Sequence, residues 1–173
     1  MNLAQSFEPV WQPECRVLVL GSSPGVASLQ AQRYYAHPRN AFWPIMGRLF
    51  GFDPCLEYDQ RLECLKSAGV ALWDVAHLCE RPGSLDANIR QHSVEPNDID
   101  WLVRQLPDLQ LIVFNGGTAE RLYKRHFKSQ HAVQRLLMPS TSPAHAALSL
   151  EQKAERWQKL LPFLYIHEPG SMA

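Results

Sequence analysis

Apolar runs alternate with helix-like stretches along the chain, and each run gives way abruptly to polar or glycine-rich residues. Arg16–Leu20, Val70–Trp73 and Leu109–Phe114 are nearly continuous apolar segments, and Val133–Met138 is a shorter fourth. Continuous runs of this kind predict strands covered on both faces, as in a parallel sheet. Between them the pattern turns helical. A helix is expected over 41–52, with Asn40 as its N-cap and Pro44 in the first turn, where a missing N–H costs little. Further helices are expected over 57–67 (Leu62 and Leu65 on one side), from Pro96 to Leu106, and over 118–127. Ser149-Leu150-Glu151-Gln152 is a capping-box pattern that opens a last helix to about Leu161. The segment Met1–Glu14, with Pro9 and Pro13, reads as an irregular lead-in. Val75–Cys79 reads as a loop capped by Asp74, Glu80–Asp86 as a polar loop, and the tail after Pro162 as loose.

Four strands alternating with helices predict an α/β fold: a three-layer sandwich around a central four-stranded parallel sheet with right-handed crossovers. Residues 1–173 are expected to form a single domain with its core over about 16–162. In such sheets ligands bind beyond the carboxyl ends of the strands. Here those ends are Gly21–Gly25, Asp74, Asn115–Gly117 and Pro139–His145. Four polar or glycine-rich exits on one edge predict a pocket there.

Composition narrows the class. With 46% hydrophobic and 20% charged residues, the chain is neither disordered nor collagen-like. No apolar run reaches the roughly 18 residues of a membrane helix, and the N-terminus lacks a signal-peptide pattern. An intracellular, cytoplasmic monomer with no membrane partner is the expectation. The net charge is zero, so any nucleic-acid face must come from local clustering. Cys15, Cys55, Cys64 and Cys79 form no CxxC pair and read as buried free thiols. No carboxylate cluster suggests Mg²⁺, so neither a metal nor another cofactor is expected.

The densest chemistry lies in Val17–Trp43. Gly21 and Gly25 allow close backbone approach, and Ser22 and Ser23 offer hydroxyls and N–H groups, so this loop could hold an anion or a water. It matches neither GxGxxG nor the P-loop pattern, and it equally suits a plain strand-to-helix turn. Ser22, Ser23 and Ser140 could be paired with His37 and His145 in a hydrolase triad, but no GxSxG elbow supports it. Of Tyr34 and Tyr35, one could stack on a planar ligand, and Arg33, His37 and Arg39 supply donors for phosphate.

Gly21-Ser22-Ser23-Pro24-Gly25 followed by Tyr35-Ala36-His37-Pro38-Arg39-Asn40-Ala41-Phe42-Trp43 resembles the uracil-DNA glycosylase superfamily, and within it the hypoxanthine-DNA (deoxyinosine) glycosylase branch. The resemblance continues through Gly69–Val75, Arg81–Asp86, Val113–Gly116 and Leu137–Ala144. It implies a monofunctional DNA base-excision repair glycosylase. Such an enzyme flips a deaminated base out of the duplex and hydrolyses its N-glycosidic bond without a metal or cofactor. It further implies Asn40 and Ser23 as catalytic positions, and Tyr35, Asp74, Gly21 and Ser22 as the base-binding set. His37, Arg39, Ser140, Thr141, Ser142 and His145 would be the DNA-binding set.

Two positions depart from the uracil-removing relatives. Their first loop carries Asp or Asn before Pro, where this chain has Ser23; their second loop often begins with His or Asn, where this chain has Met138. Both changes favour hypoxanthine over uracil as substrate. An ionised Asp74 would accept the N1–H of hypoxanthine, because a carboxylate accepts and cannot donate. A uracil or G/U-mismatch glycosylase, a catalytically inactive DNA-binding member and a small-molecule nucleoside enzyme remain alternatives at this level.

Overall fold

The computed structural model describes residues 3–127 and 132–164. Its elements are β1 (Leu3–Gln5), β2 (Val17–Gly21), α1 (Val26–Ala31), α2 (Phe42–Phe50), α3 (Tyr58–Ser67), β3 (Val70–Asp74), β4 (Ala76–Glu80), β5 (Glu95–Pro96), α4 (Ile99–Arg104), β6 (Leu111–Asn115), α5 (Gly117–His126), β7 (Gln134–Met138), α6 (Leu150–Trp157) and α7 (Leu161–Leu164). Single 3₁₀ turns lie at Asp86–Asn88, Gln91–Ser93 and Gln158–Leu160.

β3, β2, β6 and β7 form one parallel sheet in that spatial order. Every residue of β2, β3 and β6 is buried. Because successive residues of a strand point to opposite faces, this means that both faces are covered by other layers. The α/β sandwich with its four-stranded parallel centre is therefore as the sequence pattern predicts. The core is centred on these strands and on Phe42, Ile45, Met46, Tyr123 and Trp157, all at most 1% exposed.

The parallel registers align the strand ends. Gly21 pairs with Asp74, Leu20 with Phe114, and Asn115 with Met138. The last residues of all four strands thus stand in one row at the carboxyl edge.

The N-terminal lead-in is more ordered than its prolines suggest. β1 pairs antiparallel with β4, which pairs in turn with β5 to make a small second sheet. Val10 bridges to Leu72 on the open edge of β3. The Phe7 carbonyl accepts from Trp73 Nε1 at 2.9 Å, and the Glu8 carbonyl accepts from the Tyr34 hydroxyl at 2.8 Å. These partners are remote in sequence, so local pattern does not reveal them. The same pairing turns the expected loop after Asp74 into β4.

Other boundaries move for local reasons. The helix expected at Pro96 starts at Ile99, because the Asp98 side chain caps the Trp101 N–H at 3.0 Å while Pro96 pairs in β5. Asn40 is not the N-cap of α2; Ala41 holds that position, and Asn40 Oδ1 accepts from the Phe42 N–H at 2.9 Å one residue earlier. The capping box of Ser149 and Gln152 is present as expected. Cys55 is exposed, against the expectation of buried thiols, whereas Cys15 and Cys79 are buried. Phe163 and Leu164 close α7, and the remainder of the expected loose tail, 165–173, lies outside the described residues.

Candidate active site

The aligned strand ends open into a cleft of about 240 Å³. Gly21, Ser22, Ser23, Tyr35, His37, Asn40, Asp74, Ser140, Thr141 and Ser142 all line it, so most of the sequence-nominated residues converge. Arg39 and His145 do not line the cleft and are exposed.

Gly21 is required by close approach. A Cβ placed there would stand 2.5 Å from Asp74 Oδ1 and 2.9 Å from the Tyr35 hydroxyl, closer than real Cβ contacts come. Asp74 is 3% exposed, and Ser6 donates to its Oδ2 at 3.2 Å. Burial pushes its carboxyl up from 3.8 to about 7; the Ser6 hydrogen bond and the Arg81 charge pull it partly back, and Asp86 adds to the rise. Ser6, in the supposed lead-in, had no sequence signal.

Tyr35 lies against Phe42, ring centroids 4.2 Å apart and tilted by 22°. Its φ of +55° is a left-handed conformation, which costs a side-chain-bearing residue about 1 kcal/mol or more. Its hydroxyl is buried and has no hydrogen-bond partner among the described residues. The neighbouring Asn115 carboxamide is held by Thr141: Nδ2 donates to Thr141 Oγ1, and Oδ1 accepts from the Thr141 N–H, both at 2.9 Å. Burial, and then the Asp74 charge, raise the Tyr35 phenol well above its ordinary range.

The turn after β7 is held from beneath. Thr141 is 1% exposed, and its carbonyl accepts from the Ala41 N–H at 2.9 Å, tying this turn to the start of α2. Ser140 Oγ accepts from the Ser142 N–H and Ser142 Oγ from the Ala144 N–H, both at 3.2 Å. Lys153 Nζ donates to the Ser142 carbonyl at 3.3 Å, and Trp157 Nε1 to the Pro139 carbonyl at 3.0 Å. Gly116, at φ +93°, permits the turn to pack in: a Cβ there would meet Ser140 Cβ at 3.0 Å. Met138 is 3% exposed and faces the core.

The first loop is pinned by side chains the sequence did not nominate. Ser22 Oγ donates to Asp86 Oδ1 at 2.7 Å, and Arg81 donates to the Ser23 carbonyl, the Ser84 carbonyl and Asp86 Oδ1. Ser23 Oγ accepts from Cys79 Sγ at 3.5 Å and lies 3.5 Å from Arg81 Nη1, the latter at the limit of hydrogen-bond reach. An Arg and an Asp inside a six-residue glycine-containing loop were the available signal, and Asn115 at a strand end was another. Among the described residues no group of His, Cys, Asp and Glu could hold a metal ion, and no helix is long and apolar enough to cross a membrane.

This constellation has counterparts. The sequence profile of the uracil DNA glycosylase superfamily matches residues 9–161. The chain is 38% identical over 113 residues to a protein of Methanosarcina barkeri named hypoxanthine DNA glycosylase, covering 65% of this chain and 70% of that one. It is 31% identical over 157 residues to a protein of the same name from Methanosarcina acetivorans, covering 90% of this chain and 96% of that one. A solution NMR structure from Methanosarcina acetivorans, determined as that of a candidate uracil DNA glycosylase, superposes with a TM-score of 0.78. It is 31% identical and covers 94% of this chain and 98% of its own.

Proposed function

The chain belongs to the uracil DNA glycosylase superfamily, whose members act on N-glycosyl bonds in DNA, and from that premise we propose that it excises hypoxanthine from deoxyinosine-containing DNA as a monofunctional enzyme. The observation that carries the base assignment is the buried Asp74 carboxyl beside Tyr35 over Gly21. A flipped hypoxanthine presents an N1–H donor to ionised Asp74, and the Tyr35 ring offers a π-face for it to stack on. Asn40 spends Oδ1 on the Phe42 N–H, which fixes the amide and leaves Nδ2 to donate near the sugar or the departing base. Ser23 contributes mainly through its carbonyl, which Arg81 holds, and thereby keeps the loop in place.

His37, Arg39, Ser140, Ser142 and His145 supply the DNA-facing polar groups around the rim in this reading. Thr141 acts behind them, through Asn115 and Ala41, as a brace for the turn. Phosphate contacts of this kind make binding weaken with salt.

The test is release of base from end-labelled strands carrying one deoxyinosine, deoxyuridine or deoxyxanthosine, single- and double-stranded, followed by alkali. Deoxyinosine is expected to be processed fastest, with strand scission only after alkali. No release from any strand overturns the proposal. The weak contacts of Ser23 Oγ and the inward-facing Met138 favour one second reading, a DNA-binding member without turnover. Salt-sensitive electrophoretic shifts with no released base would establish that one instead.

A further inference from the structure

The reading above leaves the hydrolytic water without a base. Ser23 stands where uracil-removing relatives carry an acid or amide, and a serine hydroxyl neither accepts the water's proton well nor offsets a positive sugar. Asp74 is desolvated and engaged with Ser6 and the base end of the cleft. Among the described residues one other carboxylate lines the cleft, Asp86.

Asp86 is held in place. Its Oδ1 takes the Ser22 hydroxyl at 2.7 Å and Arg81 Nη2 at 3.1 Å. Arg81, with its side chain 6% exposed, is also drawn onto the carbonyls of Ser23 and Ser84, and Ser84 Oγ in turn accepts from the Val26 N–H at 2.9 Å. The carboxylate is thereby fixed against the first loop, beside Ser22 and Ser23, with its side chain 33% exposed. With both of these contacts on Oδ1, Oδ2 is left to accept from a water. The charge is felt across the cleft, since Asp86 raises both Asp74 and Tyr35.

We propose that Asp86 is the carboxylate that holds and deprotonates the attacking water, taking the place of the side chain missing at Ser23. The assignment rests on the glycosylase reading. In the step, the C1′–N9 bond breaks with its electron pair going to the base. The water oxygen bonds to C1′, and its proton passes to Asp86 and then to solvent. The departing hypoxanthine takes one proton from solvent. As the sugar becomes cationic, the fixed anion stabilises it, which a neutral hydroxyl does not. Asp86 is thus a catalytic residue for this reaction, and Arg81, Ser22 and Ser84 are the positioning residues that aim it.

The experiment compares wild type with Asp86→Asn, which keeps an oxygen for Ser22 and Arg81 but removes the charge. Single-turnover release of hypoxanthine is expected to fall by about 100-fold or more, the low end for loss of a general base. Affinity for a duplex with a tetrahydrofuran abasic site should change by less than about 3-fold, because the loss is confined to the transition state. Asp86→Glu should recover part of the rate. An Asp86→Asn rate within about 5-fold of wild type overturns the proposal, as does a rate that falls only in step with affinity. Should Asp86→Asn lower the melting temperature, Asn88→Ala loosens the same loop by removing the donor to the Pro82 carbonyl and leaves Asp86 and its partners in place; an equal rate loss there shows a loop pin and overturns the proposal too. Inactive wild type would defeat the glycosylase reading, whereas active wild type with active Asp86→Asn defeats only this assignment.

Discussion

Asp74 Oδ1 and the Tyr35 hydroxyl converge on the backbone of Gly21, 2.5 and 2.9 Å from the point where a Cβ would stand. A strand end, its parallel neighbour and a loop 14 residues onward meet there because the register of β2 and β3 sets Gly21 against Asp74. Gly21→Ala has to displace one of these two groups. It is expected to destabilise the protein by about 1–3 kcal/mol, the range for overpacking. It should also lower hypoxanthine release by more than 10-fold. Thermal melts and single-turnover assays read the two effects separately.

Asp74 makes stability depend on pH. Its carboxyl titrates at about 7 when folded and at 3.8 when free, so in that window the native state binds a proton that the unfolded chain does not. This contribution is full below about pH 4, is lost as pH rises through about 7, and is level above. The difference between the folded and free values corresponds to about 4 kcal/mol. Asp74→Asn removes the ionisation, so its melting temperature should gain on that of wild type between pH 5 and pH 8. If Asp74 reads the base as proposed, wild-type kcat/KM on deoxyinosine should rise with pH up to about 7. Asp74→Asn should lack that limb and lose preference for deoxyinosine over deoxyuridine.

Among the described residues the Tyr35 hydroxyl is buried without a hydrogen-bond partner. Removing an unsatisfied buried hydroxyl relieves its desolvation cost, so Tyr35→Phe should leave stability unchanged or raise it by about 1 kcal/mol. If the ring acts as a stacking platform, hypoxanthine release should stay within about 3-fold of wild type, and Tyr35→Ala should lose it, since stacking is worth about 1–3 kcal/mol per base. A large loss in Tyr35→Phe would assign the hydroxyl a role in the chemistry.

Asn40 ties two properties together. Its Oδ1 accepts from the Phe42 N–H, and the residue lines the cleft. Asn40→Ala should cost about 1 kcal/mol of stability as a lost capping contact, a fall of about 2–4 °C in a domain of this size. Base release should fall by about 100-fold or more, the scale for loss of one transition-state donor. Asn40→Asp, which preserves the acceptor, separates the two effects: normal melting with lost activity is the expected outcome.

The sheet and the row of polar strand ends were legible because buried parallel strands are apolar along their whole length. β2, β3 and β6 announce themselves in three short runs, and Gly21, Asp74 and Asn115 end them. The β1–β4 pairing and the Val10 bridge were not legible, since they join residues 62–77 positions apart and their composition is mixed. Within the site, Tyr35, Asp74 and Asn40 carry chemistry in their type and place. Ser6 does not: its role exists only because β1 sets it against Asp74. Arg81 and Asp86 carried no role of their own in a polar loop, and only the fold sets them against Ser22 and Ser23. Thr141 shows the reverse. It looked like a surface residue of a DNA-gripping turn, and its two hydrogen bonds to Asn115 bury it.

The strap formed by residues 3–10 works as electrical insulation. Phe7 walls the cleft, Ser6 supplies the hydrogen bond on Asp74 Oδ2, and Val10 seals the edge of β3 against solvent. Loosening this strap would admit water to Asp74, let its carboxyl relax toward an ordinary acidity, and flatten the distinction between a base that offers a proton and one that does not. In the proposed reading, substrate choice at the carboxyl edge of the sheet thus depends on a strap whose hydrogen bond to Asp74 spans 68 positions of sequence.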